Sequence, residues 1–394
     1  MNFSSIDIFC HCVDNFGDAG VVYRFAREFK ASNPRCRTRV FIDSKETLRA
    51  IVKEIDPSKA VQELESILYI DTRALTETLM ENLGAADIMV EAFACHIPEP
   101  LLEQAYSKSK LIINLEYLSA ESWVEGFHLK ESLLGCGTAR KFFFMPGFTE
   151  ATGGLILNSR LAQTRYSGGF DRFQILNDVL NTFGITVKPE ENKLLGTLFT
   201  YERGLDSLLT DLNTQNRKAT LLVFGDKSQK SISAALERLG GRHDSISAQI
   251  RTYKNVQLIC MPFIDQHSYD TLLCCTDFNF VRGEDSLARA VLSGKPFIWN
   301  AYIQDNKYQK VKVEALLETM RPFYKNENVF NDYSKLMLTF NDAPEESAAQ
   351  TTSERYVNFL KNLKKHERAA EEMSYFMHLN CNLIEKFNGF LRKN

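Results

Sequence analysis

No GxGxxG, P-loop, GxSxG or HExxH string occurs in the 394 residues, which weighs against a dinucleotide-dependent dehydrogenase, an NTPase, an α/β-hydrolase and a zincin. No stretch reaches the roughly 18 apolar residues that a membrane-spanning helix needs. The start, MNFSSIDIFCHC, has no basic segment followed by a long apolar one. A cytoplasmic protein with no membrane partner is expected. Blocks of five or six like charges are also missing, and 47 Lys+Arg against 50 Asp+Glu give a net charge of -3, so there is no electrostatic footprint for nucleic acid. Nine cysteines are present, but their spacing shows neither paired CxxC motifs nor a disulfide scaffold, so reduced thiols are the simplest reading. Cys10-His11-Cys12 has no second ligand pair, and no metal site is expected.

What is present is core-forming material: 44% hydrophobic residues, 25% charged, and only 20 Gly and 10 Pro. That length and balance favour two soluble domains. Apolar runs at Ile6–Val13, Arg39–Asp43, Ile67–Asp71, Asp87–Ala92, Leu111–Tyr117 and Lys141–Met145 read as buried strands. Val21, Val22, Phe25 and Phe29 recur at helical spacing between the first two, so the connection is a helix that returns the chain for a parallel strand. A second series, Leu194–Tyr201, Thr220–Phe224, Val256–Met261, Phe278–Val281 and Pro296–Tyr302, repeats the pattern. The fold class is therefore α/β, with two Rossmann-like halves expected to face across a crevice. Later stripes such as Tyr356, Leu360, Leu363 and Phe376, Leu379, Leu383, Phe387 read as helices packed on those halves.

In open α/β sheets ligands bind outside the carboxyl ends of strands, so the residues that follow strands carry the information. The first strand runs into Asp14-Asn15-Phe16-Gly17-Asp18, with a helix expected from about Ala19. Asp18 as an N-cap and Asp14 as an Asx-turn residue is one reading. The other is functional: a phosphate-binding turn wants glycines without anions, whereas this acidic turn suits a cationic or proton-donating group. In the second half a strand ends in Arg282-Gly283-Glu284-Asp285-Ser286, and a helix follows that stops at Gly294. First-turn N–H groups and the Arg282 guanidinium could hold a diphosphate. Equally, Glu284 and Asp285 could simply complement the helix dipole. Phe199, Tyr201 and Phe263 follow strands where aromatic faces could sandwich a base, or they could be core. His128 and His267 read as structural or surface groups rather than bases.

Four strings, VDNFGDAGVVYR at 13–24, NLEYLSAESWVEGFH at 114–128, KFFFMPGFTEATGGL at 141–155 and DFNFVRGEDSLARAVLSGKPFIWNAYIQ at 277–304, resemble the bacterial protein-arginine rhamnosyltransferases that modify elongation factor P. The resemblance implies a GT-B glycosyltransferase that moves rhamnose from dTDP-β-L-rhamnose to an arginine of that factor with inversion. The expected division is an acceptor-side domain at 1–168, a connector at 169–191, where Gly168-Gly169, Gly184 and Pro189 punctuate the pattern, a nucleotide-sugar domain at 192–372 and a terminal helix at 373–394 packing back on the first. Asp14 and Asp18 match the family's aspartate pair, with Asp18 the general base. Phe199 and Phe263 match positions around the thymine, and Tyr201, Gln266 and Tyr302 match other donor-pocket positions. Arg282, Glu284, Asp285 and Ser286 match the RGEDS donor motif, with Glu284 placed near the chemistry. One departure is Tyr308, where the resemblance implies a histidine. No cofactor is implied beyond the donor.

The chemistry of the residues fits that implication. An arginine guanidinium has a pKa of about 13.8 and delocalised lone pairs, so it needs both orientation and proton removal to attack. Paired carboxylates supply both. A GT-B enzyme using another nucleotide-sugar with a small or lipid acceptor is an alternative, as is a non-catalytic nucleotide-sugar-binding regulator.

Overall fold

The computed structural model describes residues 3–12, 16–134, 137–166, 170–188, 190, 193–215, 217–240, 242–243, 249–342 and 355–394. The chain divides into two compact units, one of Met1–Ser159 with Met377–Asn394, the other of Arg160–Phe376.

Unit 1 contains strands β1 (Ser5–Cys10), β2 (Arg37–Ile42), β3 (Val61–Leu64), β4 (Ile67–Asp71), β5 (Ile88–Ala92), β6 (Leu111–Leu115), β7 (Glu131–Ser132) and β8 (Arg140–Phe144). They form one sheet in the order β3-β4-β2-β1-β5-β6-β8-β7. The inner six are parallel, and the short edge strands β3 and β7 are antiparallel. Neighbouring residues along a strand are buried on opposite faces. Ile8, Val40 and Ile113 belong to one apolar cluster, while Phe9, Phe41 and Ile112 belong to another. Both faces are thus covered, as crossover helices require of a parallel sheet. From β1 the chain moves outward to β2 and β4, then returns to the far side of β1 for β5. That reversal makes the carboxyl ends of β1 and β5 the switch point where ligands bind in such sheets.

The final helix, Leu383–Lys393, belongs to this unit. Phe387 meets Phe25 edge-on at 5.2 Å and Phe144 at 5.3 Å. Leu155 donates its N–H to Cys381 and accepts one from Leu383 through its carbonyl. The Lys386 ammonium donates to the carbonyls of Glu150 and Thr152, both at 2.8 Å, and of Thr149 at 3.3 Å. Gly154, at φ 78°, passes so close to the Cys381 carbonyl that no side chain would fit. The 141–155 string is therefore a clasp for the final helix.

Unit 2 holds β9 (Leu194–Leu198), β10 (Ala219–Val223), β11 (Arg242–His243), β12 (Ile250–Tyr253), β13 (Val256–Cys260), β14 (Phe278–Arg282) and β15 (Phe297–Asn300). The order is β11-β12-β13-β10-β9-β14-β15, parallel from β13 to β15 and antiparallel at the β11–β12–β13 edge. Its switch point lies between β9 and β14. The helix Arg172–Asn181, inside the stretch expected to be a connector, buries Leu176 and Leu180 in this unit's core with Leu195, Leu222 and Ile259.

Candidate active site

The switch point of unit 2 gathers most of the residues singled out in the sequence. Phe199 and Tyr201 leave the end of β9, and Arg282 ends β14 beside it. The Arg282 guanidinium carbon lies 4.2 Å from the Phe199 ring centre and 5.1 Å from that of Tyr201. One of its N–H groups donates to the Thr200 carbonyl at 3.1 Å. A planar cation is thus held between two aromatic rings at the start of the helix Gly283–Ser293, whose first N–H groups have no intrahelical acceptor. Tyr302 meets Tyr201 edge-on at 5.6 Å. Behind these, Tyr269 packs against Phe199 at 5.9 Å, and burial pushes its hydroxyl pKa up, so it stays neutral. Ser286 lies beside that hydroxyl.

Among the described residues, Thr200 Oγ1 and Gln266 Oε1 are buried with no protein partner. Burying a polar group unpaired costs free energy, so a ligand with complementary groups is the natural complement of these two. Gln266 opens the helix Gln266–Cys275, capped by Asp265, whose carboxylate accepts from the Ser268 N–H at 2.9 Å. Phe263, two residues before the cap, is 52% exposed. Exposure of such a ring fits a ligand-facing position better than core.

The two carboxylates of the RGEDS string have cationic neighbours. Glu284 is 3.2 Å from the Lys312 ammonium, and Asp285 is 3.8 Å from the guanidinium of Arg289 one turn on. Glu284 and Asp285 sit in the first turn of this helix, where they complement its dipole, while Arg282 lies across the two rings. Tyr308 opens the helix Tyr308–Met320 and is exposed.

In unit 1 the helix after β1 starts at Phe16, three residues earlier than its apolar spacing predicts. Asp18 is therefore in the first turn rather than the N-cap, and it is only 2% exposed. Its carboxylate raises the pKa of the Cys10 thiol, a lesser cause than the hydrogen bond with Cys12 and burial, which places Asp18 at the end of β1. That is the switch point of this unit's sheet. Asp14 lies outside the described residues. His11 pairs with Asp43, which also accepts the Cys12 N–H at 2.9 Å. Among the described residues no group of three or more His, Cys, Asp or Glu could hold a metal ion. No helix among them is long and apolar enough to cross a membrane.

Comparison with known proteins decides the family. The model of the family described as "Elongation-Factor P (EF-P) rhamnosyltransferase EarP" matches residues 6–392. The chain belongs to this family. It is 35% identical over 324 residues to a protein-arginine rhamnosyltransferase of Pseudomonas aeruginosa, covering 80% of this chain and 81% of the relative. A solved structure described as "Structural basis for EarP-mediated arginine glycosylation of translation elongation factor EF-P" shares the fold, with TM-score 0.63 and 23% identity over 99% of both chains. A ugt transferase from Siraitia grosvenorii in complex with UDP shares it at TM-score 0.50 and 10% identity over 99% of both. The two α/β sheets are thus those of a GT-B glycosyltransferase, and the chain is an enzyme of the EarP family.

Several site residues were not visible from strings alone. Ser228 is buried and its hydroxyl bridges the Thr200 N–H at 2.7 Å and carbonyl at 3.1 Å. The Asn300 side chain accepts the Tyr201 N–H at 3.0 Å. Lys227, beside Ser228, brings its ammonium 5.5 Å from the Tyr201 ring centre. The signal for Lys227 and Ser228 was available: both lie just after a strand, in the first turn of the helix Asp226–Leu239.

Proposed function

We propose that the enzyme transfers L-rhamnose from dTDP-β-L-rhamnose to an arginine side chain of elongation factor P, with inversion, in the cytoplasm and without a metal or other cofactor. The observation that carries this reading is the Arg282–Phe199–Tyr201 cluster with the unpartnered Thr200 and Gln266 atoms beside it, in a chain of the EarP family. Flat rings suit the base of a nucleoside diphosphate, and an oriented guanidinium with a helix amino end suits its diphosphate. Phe199 and Phe263 take the thymine, Gln266 and Tyr302 complete the donor pocket, and Arg282 with Asp285 and Ser286 takes the diphosphate end. Glu284 holds donor hydroxyls near the reacting carbon.

In the reaction a guanidinium nitrogen attacks the anomeric carbon as the carbon–oxygen bond to the diphosphate breaks. One proton passes from that nitrogen to Asp18, the glycosylated guanidinium keeps its positive charge, and dTDP departs with the electron pair. Asp14 orients the guanidinium as a two-oxygen partner. Proton removal accompanies attack, because a free neutral arginine is too rare to wait for. Negative charge developing on the leaving group is met by Arg282 and the first-turn N–H groups.

The test is intact-mass and tandem mass spectrometry after incubating the chain with dTDP-β-L-rhamnose and elongation factor P. A deoxyhexose increment on one arginine, with the α-anomer by NMR, is the expected result. No increment, or transfer from a different nucleotide-sugar in preference, overturns the reading.

A further inference from the structure

We propose that Lys312 is a positioning residue for the transfer: its ammonium neutralises the Glu284 carboxylate and orients it toward the donor sugar, at a helix start that also accepts a diphosphate. This deepens the reading above and rests on it for the place of the donor. The difficulty that the pair resolves is one of charge. The helix Gly283–Ser293 opens with Glu284 and Asp285, which suit the helix dipole but repel a bound anion. A carboxylate kept beside a diphosphate needs a cation of its own. Asp285 has the Arg289 guanidinium at 3.8 Å, one turn along the same helix. Glu284 takes its cation from another element: Lys312, in the helix Tyr308–Met320, brings its ammonium 3.2 Å from Oε1.

Both ends of the pair are fixed through the same strand. On β15 the Trp299 indole N–H donates to the Gly283 carbonyl at 2.9 Å, which ties down the residue before Glu284. Past β15, Asn306 at φ 56° and Lys307 at φ 58° take left-handed conformations that side chains disfavour, and there the chain turns into the helix that carries Lys312. The Gln309 side chain accepts the Gln304 N–H at 3.2 Å across that turn. Val313, Leu316 and Leu317 are buried and anchor the helix. The nearby Lys307 and Lys310 both pair with Asp342, at 3.0 and 2.8 Å. Among the described residues, no other ion pair involves Lys312 or Glu284.

The Lys312 and Glu284 side chains are each 24% exposed. At that depth water screens their attraction only in part, so loss of the ammonium leaves the carboxylate charge poorly compensated. The ammonium engages Oε1, and Oε2 keeps its capacity to accept from sugar hydroxyls. Lys312 thus acts through Glu284, by cancelling its charge toward the diphosphate and by fixing which oxygen faces the sugar.

The experiment is a double-mutant cycle on single-turnover transfer from dTDP-β-L-rhamnose to elongation factor P, using Lys312→Met, Glu284→Gln and the two combined, alongside Lys312→Arg. Lys312→Met is expected to slow transfer about tenfold or more in the wild-type background and less than about twofold in Glu284→Gln, since residues that act as a unit do not add. Lys312→Arg, which keeps the charge, is expected to stay within about threefold of wild type. Calorimetry with dTDP, which lacks the sugar, isolates the charge: Lys312→Met weakens binding and Glu284→Gln strengthens it, each by about threefold to tenfold, and the combined variant returns to within about twofold of wild type. Should Lys312→Met unfold, Lys312→Gln carries the same expectations. Equal slowing by Lys312→Met in both backgrounds, transfer as fast as wild type, or unmoved dTDP affinity overturns the positioning role and leaves the functional reading standing. A wild-type chain that does not modify elongation factor P from this donor sinks both.

Discussion

A Cβ on Gly225 would lie 2.9 Å from Cε2 of Phe199, so this glycine at the end of β10 sets the position of the ring on which Arg282 rests. Gly225 also adopts φ 75° with ψ 149°, a combination open to glycine alone. Gly225→Ala is expected to strain the backbone by about 1–3 kcal/mol and to push Phe199 out of line. Calorimetry should show dTDP binding at least tenfold weaker, with a lowered unfolding midpoint.

Arg282 is held by one carbonyl and two rings, and each contact uses the planar guanidinium. Lysine keeps the charge but loses the fork and the stacking. Arg282→Lys should therefore weaken dTDP binding by about tenfold to a hundredfold, the effect of losing a charged hydrogen bond worth about 1.5–3 kcal/mol. A lysine variant that binds dTDP like wild type would show that charge alone is enough.

Lys386 joins the last helix to three carbonyls of the 149–152 turn. Burial lowers its pKa, yet removal of the ammonium would leave those carbonyls short of donors. Lys386→Met should cost about 1–3 kcal/mol of stability in urea unfolding. The loss should be seen in unit 1, with dTDP binding by unit 2 unaffected.

Acid should destabilise the protein through two histidines. Burial first, then Lys386 for His128 and Lys365 for His366, lowers each pKa to about 4 from the ordinary 6.5. His128 Nδ1 accepts the Met145 N–H at 3.2 Å, and His366 sits among Tyr324, Tyr333 and Phe359. Between about pH 6.5 and pH 4 the unfolded chain binds protons that the folded chain refuses, so stability falls as pH drops through that window. Thermal midpoints should decline from pH 7 to pH 4.5, with a shallower slope in His366→Phe. A midpoint flat across that range contradicts the assignment.

Much of the fold was legible because parallel strands buried on both faces are short, continuous apolar runs. Ile67–Asp71 was read at the residues where the strand lies, and Leu111, Leu194 and Phe278 were read as strand starts. The antiparallel edges β3, β7, β11 and β12 were not, since two to four residues of mixed polarity carry no period. The start at Phe16 was missed because Phe16 and Gly17 lie ahead of the apolar stripe. Arg282, Phe199 and Tyr201 could be named from strand ends, and the rings meet the guanidinium. Gly225, Ser228 and Asn300 could not, because only the lateral order of β10, β9, β14 and β15 brings residues so far apart in sequence together. The terminal stripe was partly misleading. Phe387 and Leu383 are core, while Leu379 is 61% exposed at the end of the preceding helix.

The central claim is a division of labour, in which Asp18 serves the acceptor nitrogen and the Arg282 cluster holds the donor. Its most direct test pairs dTDP calorimetry with single-turnover transfer for Asp18→Asn and Arg282→Met. The account predicts that Asp18→Asn binds dTDP within about twofold of wild type and loses transfer by at least a hundredfold, as removal of a positioned base does. It predicts that Arg282→Met loses dTDP affinity. Equal loss of dTDP affinity in both variants, or undiminished transfer by Asp18→Asn, would contradict it.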